Sequence, residues 1–306
     1  MKILIASSST LAIPVFNAIT SSNDHQICGL LTNVDKPTGR GQKKESNQLA
    51  VWALAEKFIV YKSDNDAEIN AALKQTQADL VITIAFGQLV KEEALQIPKH
   101  GWINIHFSEL PKWRGAAPVQ HAILNSEKII GISIFKLDKG MDTGPIYLSK
   151  NFPLGDHECT PEVLNRLSAV GADLVLQVIG MIKEHKQPII QSDNQVSYAP
   201  KFHKHDCSVQ WGATGVAIYN FYRALGANPG IWTMLSETRL KINSLKISTL
   251  DMDLQPGEIC IVQEQIFVGT SDGIIEIFNL TPAGRSPMTA AEFVRGLTTK
   301  SGLRFG

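Results

Sequence analysis

An excess of charge of either sign is what this sequence most plainly lacks. Lys+Arg and Asp+Glu number 29 each, for a formal net charge of +0. So balanced a chain does not coat nucleic acid through bulk electrostatics, and any contact with a polyanion must come from a local patch. Long hydrophobic runs are also missing. No stretch approaches the roughly eighteen apolar residues a membrane span needs. The apolar opening at Met1–Ala6 gives way to Ser7-Ser8-Ser9-Thr10, too early for the core of a signal peptide. These two absences point to a cytoplasmic protein with no membrane partner. Cys28, Cys159, Cys207 and Cys260 form no C-x-x-C pair, which excludes a zinc knuckle and a thioredoxin-like motif. They read as reduced, mostly buried small residues. No G-x-G-x-x-G follows the first apolar run, which argues against a dinucleotide-binding dehydrogenase. The one close histidine pair, His203-x-His205, lies in a polar stretch, and no metal is expected.

What is present is a chain of 306 residues, 44% apolar and 19% charged, enough to bury two cores. Lys2–Ala6, Gln26–Thr32 and Asp79–Ala85 are compact apolar runs of the kind buried on both faces of a parallel sheet. Leu11–Ile19 and Leu49–Phe58 carry apolar residues at helical spacing between them, and Trp102–His106 and Ile130–Leu137 continue the strand series. Alternation of this kind predicts an α/β domain, a mostly parallel twisted sheet with helices on both faces. Pro161–Ile182 predicts a long amphipathic helix with Thr160 as its N-cap. Lys186–Lys204, polar and broken by Pro188 and Pro200, predicts a linker. After a helix at Val216–Leu225 and a breaker at Gly226–Gly230, short strands recur at 232–235, 240–248, 257–262, 265–269 and 273–280, as in a small β-barrel. The expected domains are 1–188, catalytic; 189–206, linker; and 207–306, barrel.

In a parallel sheet, ligands bind outside the carboxyl ends of the strands. At one such end, Asn104 and His106 stand two residues apart and share a face. An amide donor beside an imidazole suits a developing oxyanion and a proton transfer. Alone, the pair could as well be polar residues closing a strand. The exit loop that follows, with two prolines, two aromatics and Arg114-Gly115, is more than a packed strand requires. Downstream, Asp138-Lys139-Gly140-Met141-Asp142-Thr143-Gly144 reads either as a set of turn formers or as the source of a carboxylate for the imidazole.

Asn104-x-His106, Ser108-Glu109-Leu110-Pro111, Trp113-Arg114-Gly115-Ala116-Ala117-Pro118 and Asp142-Thr143-Gly144 together resemble the formyltetrahydrofolate-dependent formyltransferases, above all those acting on initiator methionyl-tRNA. The resemblance covers essentially the whole chain. Lys36–Gly41 looks like an inserted loop of that family, Ala85-Phe86-Gly87 like its strand leading to the folate pocket, and Tyr198-Ala199-Pro200-Lys201 like its linker. Leu280–Arg285 is similar to its C-terminal signature, where lysine is more usual than Arg285. The resemblance implies a formyltransferase fold followed by a barrel of oligonucleotide-binding type. It implies catalysis by Asn104, His106 and Asp142, and binding of 10-formyltetrahydrofolate by Phe86, Gly87, Ser108, Glu109, Leu110 and Pro111. It further implies that a monomeric enzyme binds initiator methionyl-tRNA through Arg40, Lys43, Lys44 and Lys201. In the expected chemistry Asn104 and a protonated His106 stabilise the oxyanion while Asp142 holds the imidazole charged. Three positions depart from the family pattern: Glu109 replaces leucine, Phe107 a small residue, and Ser7-Ser8-Ser9 a Gly-Thr-Pro. Glu109 is expected to face solvent, away from the folate carboxylates.

Residues 35–44 carry four basic side chains and one acidic, a local excess that suits phosphate. Residues 201–306 carry ten basic and nine acidic, almost no excess. Other acceptors remain open at this stage. A sugar-nucleotide N-formyltransferase would share the Asn/His/Asp trio but not the Gly39-Arg40-Gly41 loop. A glycinamide ribonucleotide formyltransferase would leave about a hundred residues without a role. A non-catalytic RNA-binding module would have no need of an intact trio.

Overall fold

The computed structural model describes residues 1–38 and 42–306. It divides into two compact units, each a separate core. The first comprises residues 1–118, 129–153 and 163–200; the second comprises 119–128, 154–162 and 201–306. The chain is thus cut differently from the boundaries expected at 188 and 206: residues 189–200 belong to the first unit, and two short segments before residue 163 belong to the second.

The first unit is built on strands β1 (Lys2–Ala6), β2 (Gln26–Asn33), β3 (Lys36–Thr38), β4 (Lys43–Glu45), β5 (Val60–Ser63), β6 (Leu80–Thr83), β7 (Trp102–His106), β8 (Ile129–Lys136) and β9 (Ile146–Pro153). The helices are α1 (Ile13–Ser21), α2 (Gln48–Ala55), α3 (Asp66–Thr76), α4 (Glu92–Gln96), α5 (Pro118–Leu124) and α6 (Thr160–Lys183). Seven strands form one sheet in the order β5-β2-β1-β6-β7-β8-β9. Its first five strands pair in parallel and the last two run antiparallel as a hairpin, so the sheet is mixed and mostly parallel, as expected. Strand order reverses between β1 and β6, and at such a reversal the carboxyl ends leave a crevice.

Alternation along β7 sorts its side chains between the two faces. Trp102 packs in a cluster with Ile69, Ala72 and Leu73 of α3 and Ala94 of α4, and its indole N–H donates to the Ala94 carbonyl at 2.8 Å. On the opposite face Ile105 lies under α6, where a side chain at Gly171 would touch Ile105 and Ile132. Helices therefore cover both faces, and Asn104 and His106 share the face of Trp102. Length and composition would allow α6 to cross a membrane. It also carries Glu162, Arg166, Asp173 and Lys183, and buries Val163, Leu167, Val175, Val178 and Ile179 against the sheet's core.

Two expectations fail locally. The sixth strand ends at Thr83 rather than Ala85, because Ala85 turns into the left-handed region with φ 47°. Thr160 does not cap α6. Its hydroxyl donates to the Ala224 carbonyl at 2.8 Å, while the Glu162 carboxylate accepts from the Cys159 N–H at 2.7 Å and satisfies the helix start. The second unit carries α7 (Gly215–Leu225), β10 (Trp232–Leu235), β11 (Thr238–Ile247), β12 (Ile259–Val262), β13 (Gln265–Gly269), β14 (Ile274–Pro282), β15 (Met288–Thr289) and α8 (Ala290–Arg295). Its antiparallel sheet runs β10-β11-β14-β13-β12, with β15 beside β14. The C-terminal residues close it into a barrel: Phe305 pairs with Leu235 beside one edge and Arg304 with Glu258 beside the other.

Candidate active site

The carboxyl ends of β1, β6 and β7 build the site. At the strand reversal, Ser7 Oγ donates to the Ile84 carbonyl at 2.5 Å, and Ser8 Oγ donates to the Ala85 carbonyl at 3.2 Å. The Ser7–Ser9 departure thus supplies hydroxyls that hold the exit of β6. Phe86 is buried in the core cluster, so it offers only backbone to a ligand. Gly87, with φ 75°, has open space where a side chain would stand.

Asn104 is set by a neighbour that sequence reasoning overlooked. Thr83, its cross-strand partner, donates its hydroxyl to Asn104 Oδ1 at 2.7 Å. That bond fixes the amide so that its Nδ2 donors face away from Thr83, the orientation an oxyanion requires. A β-branched polar residue ending a buried strand beside an Asn was the available signal.

His106 is buried, and its Nε2 lies 2.8 Å from the Trp113 carbonyl. A carbonyl only accepts, so Nε2 carries a proton, and the neutral ring leaves its Nδ1 lone pair free. Asp142 Oδ2 is 3.7 Å from that Nδ1 and accepts the Gly115 N–H at 2.7 Å. Phe135 meets the imidazole edge-on. Burial pushes the His106 imidazole below its ordinary value, and the Asp142 carboxylate only partly offsets this. The expected resting imidazolium is therefore corrected: taking the ring out of water costs more than one carboxylate at 3.7 Å returns.

The loop after β7 is folded onto β8. Ser133, the register partner of His106, donates to the Ser108 carbonyl at 2.8 Å and accepts the Leu110 N–H at 3.0 Å. Any side chain at Gly131 would overlap the Glu109 backbone. Ser108 and Leu110 are buried, and Ser108 Oγ donates to the Lys112 carbonyl at 2.6 Å. Pro111 is half-buried, and Glu109 is exposed, as expected from its charge. Of the four loop residues expected to bind the donor, two have side chains committed to the protein interior.

Asp142 adopts φ 55°, uncommon for a residue with a side chain. Close approach explains the glycine two residues on: a Cβ at Gly144 would overlap the Lys136 carbonyl. The Asp142 and Gly144 carbonyls both accept from Gln191 Nε2, at 2.8 and 2.7 Å. Gln191 Oε1 in turn accepts from Arg114 Nε and Nη2 at 3.2 and 2.7 Å. A cavity of about 680 Å³ opens nearby between the exit of β6 and the loop after β8, lined by Asn70, Leu89, Lys91 and Lys139. None of Asn104, His106 and Asp142 lines it.

The remaining expected residues lie elsewhere. Lys43 and Lys44 are exposed on β4, in a hairpin whose base is tied by the Asp35 carboxylate, which accepts from Lys62 Nζ at 2.6 Å and Ser46 Oγ at 2.8 Å. Arg40, the expected loop contact with tRNA, lies outside the described residues. Lys201 is exposed in the second unit. His203 and His205 stack with ring centroids 5.5 Å apart, and no cluster of three or more metal-ligating side chains occurs among the described residues.

Known proteins resemble this chain over most of its length. Residues 1–179 match the formyl transferase family model, and residues 201–298 match the model of the formyl transferase C-terminal domain. The methionyl-tRNA formyltransferase of Acidothermus cellulolyticus is 35% identical over 324 residues, covering 100% of both chains. Among solved structures, HypX from Aquifex aeolicus in complex with tetrahydrofolic acid superposes with a TM-score of 0.69 at 16% identity. That match covers 97% of this chain, which spans about half of HypX, 48% of its length. Methionyl-tRNA formyltransferase from Clostridium thermocellum gives a TM-score of 0.60 at 16% identity, over 82% of this chain and 95% of that one. Full-length similarity and the two matched domains establish that the chain belongs to the formyl transferase family.

Proposed function

We propose that this protein transfers the formyl group of 10-formyltetrahydrofolate to the free α-amino group of methionyl-initiator tRNA, as a monomeric cytoplasmic enzyme with no membrane partner. The observation that carries the chemistry is a buried His106 with Nδ1 3.7 Å from the Asp142 carboxylate, beside an Asn104 amide whose oxygen Thr83 already occupies. The amine nitrogen bonds to the formyl carbon, and the carbonyl π electrons move onto oxygen. Asn104 Nδ2 donates to that oxyanion, an interaction typically worth about 2.7–4 kcal/mol in the transition state. His106 Nδ1 takes the proton released by the amine, and the Asp142 carboxylate stabilises the resulting imidazolium. When the carbon–nitrogen bond to the folate breaks, the imidazolium returns that proton to the departing nitrogen. The attacking amine is itself the nucleophile, so no step requires a metal.

Donor binding falls to the exits of β6 and β7, through the backbone at Phe86 and Gly87 and along the loop Ser108-Glu109-Leu110-Pro111, in which the Ser108 and Leu110 side chains are buried and the Glu109 carboxylate faces solvent. Full-length similarity to tRNA-formylating relatives favours tRNA over an amino sugar as acceptor. The basic residues of the segment 35–44 support the same choice, with Arg40, Lys43 and Lys44 as phosphate contacts and Lys201 as a further one. Catalysis falls to residues 1–188 and tRNA support to the barrel of residues 207–306, with residues 189–206 running between them in sequence while residues 189–200 pack within the first unit. Kinetics of Arg40→Ala test the acceptor. Its KM for charged initiator tRNA rises, and the salt slope of binding becomes shallower by about 0.7–0.9. The KM for 10-formyltetrahydrofolate stays within about twofold, because Arg40 is not among the residues expected to bind the donor. Equal tRNA kinetics in wild type and variant at physiological salt would remove the hairpin from the acceptor site.

A further inference from the structure

Residues 189–199, which composition marks as a linker, lie against the catalytic loops of the first unit. Ile189 and Ile146 exchange backbone hydrogen bonds at 2.7 and 2.8 Å. The Ser197 carbonyl accepts the Arg114 N–H at 2.9 Å, and the Ala199 N–H donates to the Arg114 carbonyl at 2.7 Å. Ser197 Oγ accepts the Trp113 N–H at 2.9 Å. A side chain at Gly115 would strike the Ala199 carbonyl at 2.7 Å, so only glycine allows the two strands of chain to lie this close. These contacts fix Gln191, whose amide touches no expected substrate position.

Gln191 and Arg114 have an energetic peculiarity. Arg114 is buried, 8% exposed, and among the described residues the only side chain it bonds is the neutral Gln191. A buried cation with no carboxylate partner is expensive. Its field polarises the one amide it touches, drawing charge toward Oε1 and strengthening the Nε2–H donors on the other side. Those donors meet the carbonyls of Asp142 and Gly144. Meanwhile Gly115, next to Arg114 in the chain, gives its N–H to the Asp142 carboxylate. One dipeptide thus holds Asp142 twice, through Gln191 at the backbone and directly at the side chain. An aspartate at φ 55° needs such bracing to keep one carboxylate direction.

We propose that Gln191, held by Arg114, is a positioning residue for Asp142 and sets the carboxylate's distance from His106. This rests on the reading of Asp142 as part of the formyl-transfer machinery. Gln191 carries no charge and moves no proton; it acts through Asp142. Around the imidazole, Asp142 from the loop after β8 is the charged group the structure places in contact. Phe135 from β8 and the Trp113 carbonyl from the exit of β7 contribute no charge.

Two substitutions separate positioning from simple stability. Gln191→Met keeps the volume and removes both sets of hydrogen bonds. Gln191→Glu keeps an acceptor for Arg114, now an ion pair, but turns a carboxylate toward the Asp142 and Gly144 carbonyls. Both variants lose about tenfold or more in kcat, with both KM values within about twofold, as a displaced catalytic group gives. Gln191→Glu melts no lower than wild type. In both, the acid limb of the kcat profile moves to lower pH, because an imidazole with a more distant carboxylate gains its proton less readily. NMR titration of His106 in wild type and Gln191→Met reads the same displacement without turnover, and finds the variant's His106 titrating at lower pH. Wild-type kcat and an unshifted His106 titration in Gln191→Glu or Gln191→Met would overturn the proposal, as would a kcat loss explained wholly by unfolded protein. If wild type itself formylates no acceptor, the functional reading fails, while the titration still decides whether Gln191 positions Asp142.

Discussion

Two stretches of the first unit meet at the site and are encoded in opposite ways. Residues 102–118 present their chemistry as residue types: an amide, an imidazole, and glycine beside arginine, on a strand whose alternation fixes the face. Residues 189–199 present a polar segment with two isoleucines and nothing that singles out a role. Yet the second stretch supplies backbone bonds to Arg114, a Ser197 hydroxyl that accepts the Trp113 N–H, and the amide beneath Asp142. Catalytic groups are identified by what their side chains can do, whereas their supports are identified only by where the backbone brings them.

The largest effects come from the first stretch and its carboxylate. Asn104→Ala, His106→Ala and Asp142→Ala each lower kcat by about 100-fold or more, the scale for one lost oxyanion donor or proton carrier. Turnover near wild type in any folded variant would take that residue out of the mechanism. Thr83→Val tests a support on the strand side. It removes the hydroxyl from Asn104 Oδ1 at similar volume and lowers kcat by about fivefold, the worth of one ordinary hydrogen bond. A Thr83→Val variant as fast as wild type would mean that Asn104 needs no orienting partner.

This contrast explains how much could be read from the chain alone. The mostly parallel sheet, the long helix and the barrel were legible because period and breaker residues are local signals, and the candidate trio was picked out because an Asn/His pair on one strand face is a local signal as well. Barrel closure by Arg304 and Phe305 was not, since it depends on pairing with Glu258 and Leu235 across 46 and 70 positions. Neither was the lowered proton affinity of His106, which follows from burial that only the fold creates. Ser108 and Leu110 matched a family loop by identity, while their buried side chains became apparent only once Ser133 and Gly131 lay beneath them.

A smaller effect concerns pH. Folded His106 binds a proton less readily than the unfolded chain, whose histidines titrate near 6.5. Below about that value the unfolded state holds more protons, so stability is full above it and declines as pH falls. His25 and His100, also lowered chiefly by burial, act in the same direction. Melting temperature followed from pH 7 down to 5 falls, and falls less steeply in His106→Ala. A parallel decline in both proteins would show that His106 is not held neutral. The smallest effect is at the exposed loop position. Glu109→Leu leaves the KM for 10-formyltetrahydrofolate unchanged or slightly lower, because the carboxylate faces solvent. A several-fold rise would place Glu109 in contact with the donor.

The central claim is most directly tested by offering 10-formyltetrahydrofolate and two acceptors side by side, charged initiator methionyl-tRNA and a nucleotide-linked amino sugar. The account predicts formyl label on the methionyl α-amine, none on uncharged tRNA, and negligible label on the sugar. Label on the sugar with none on the methionyl-tRNA would contradict it.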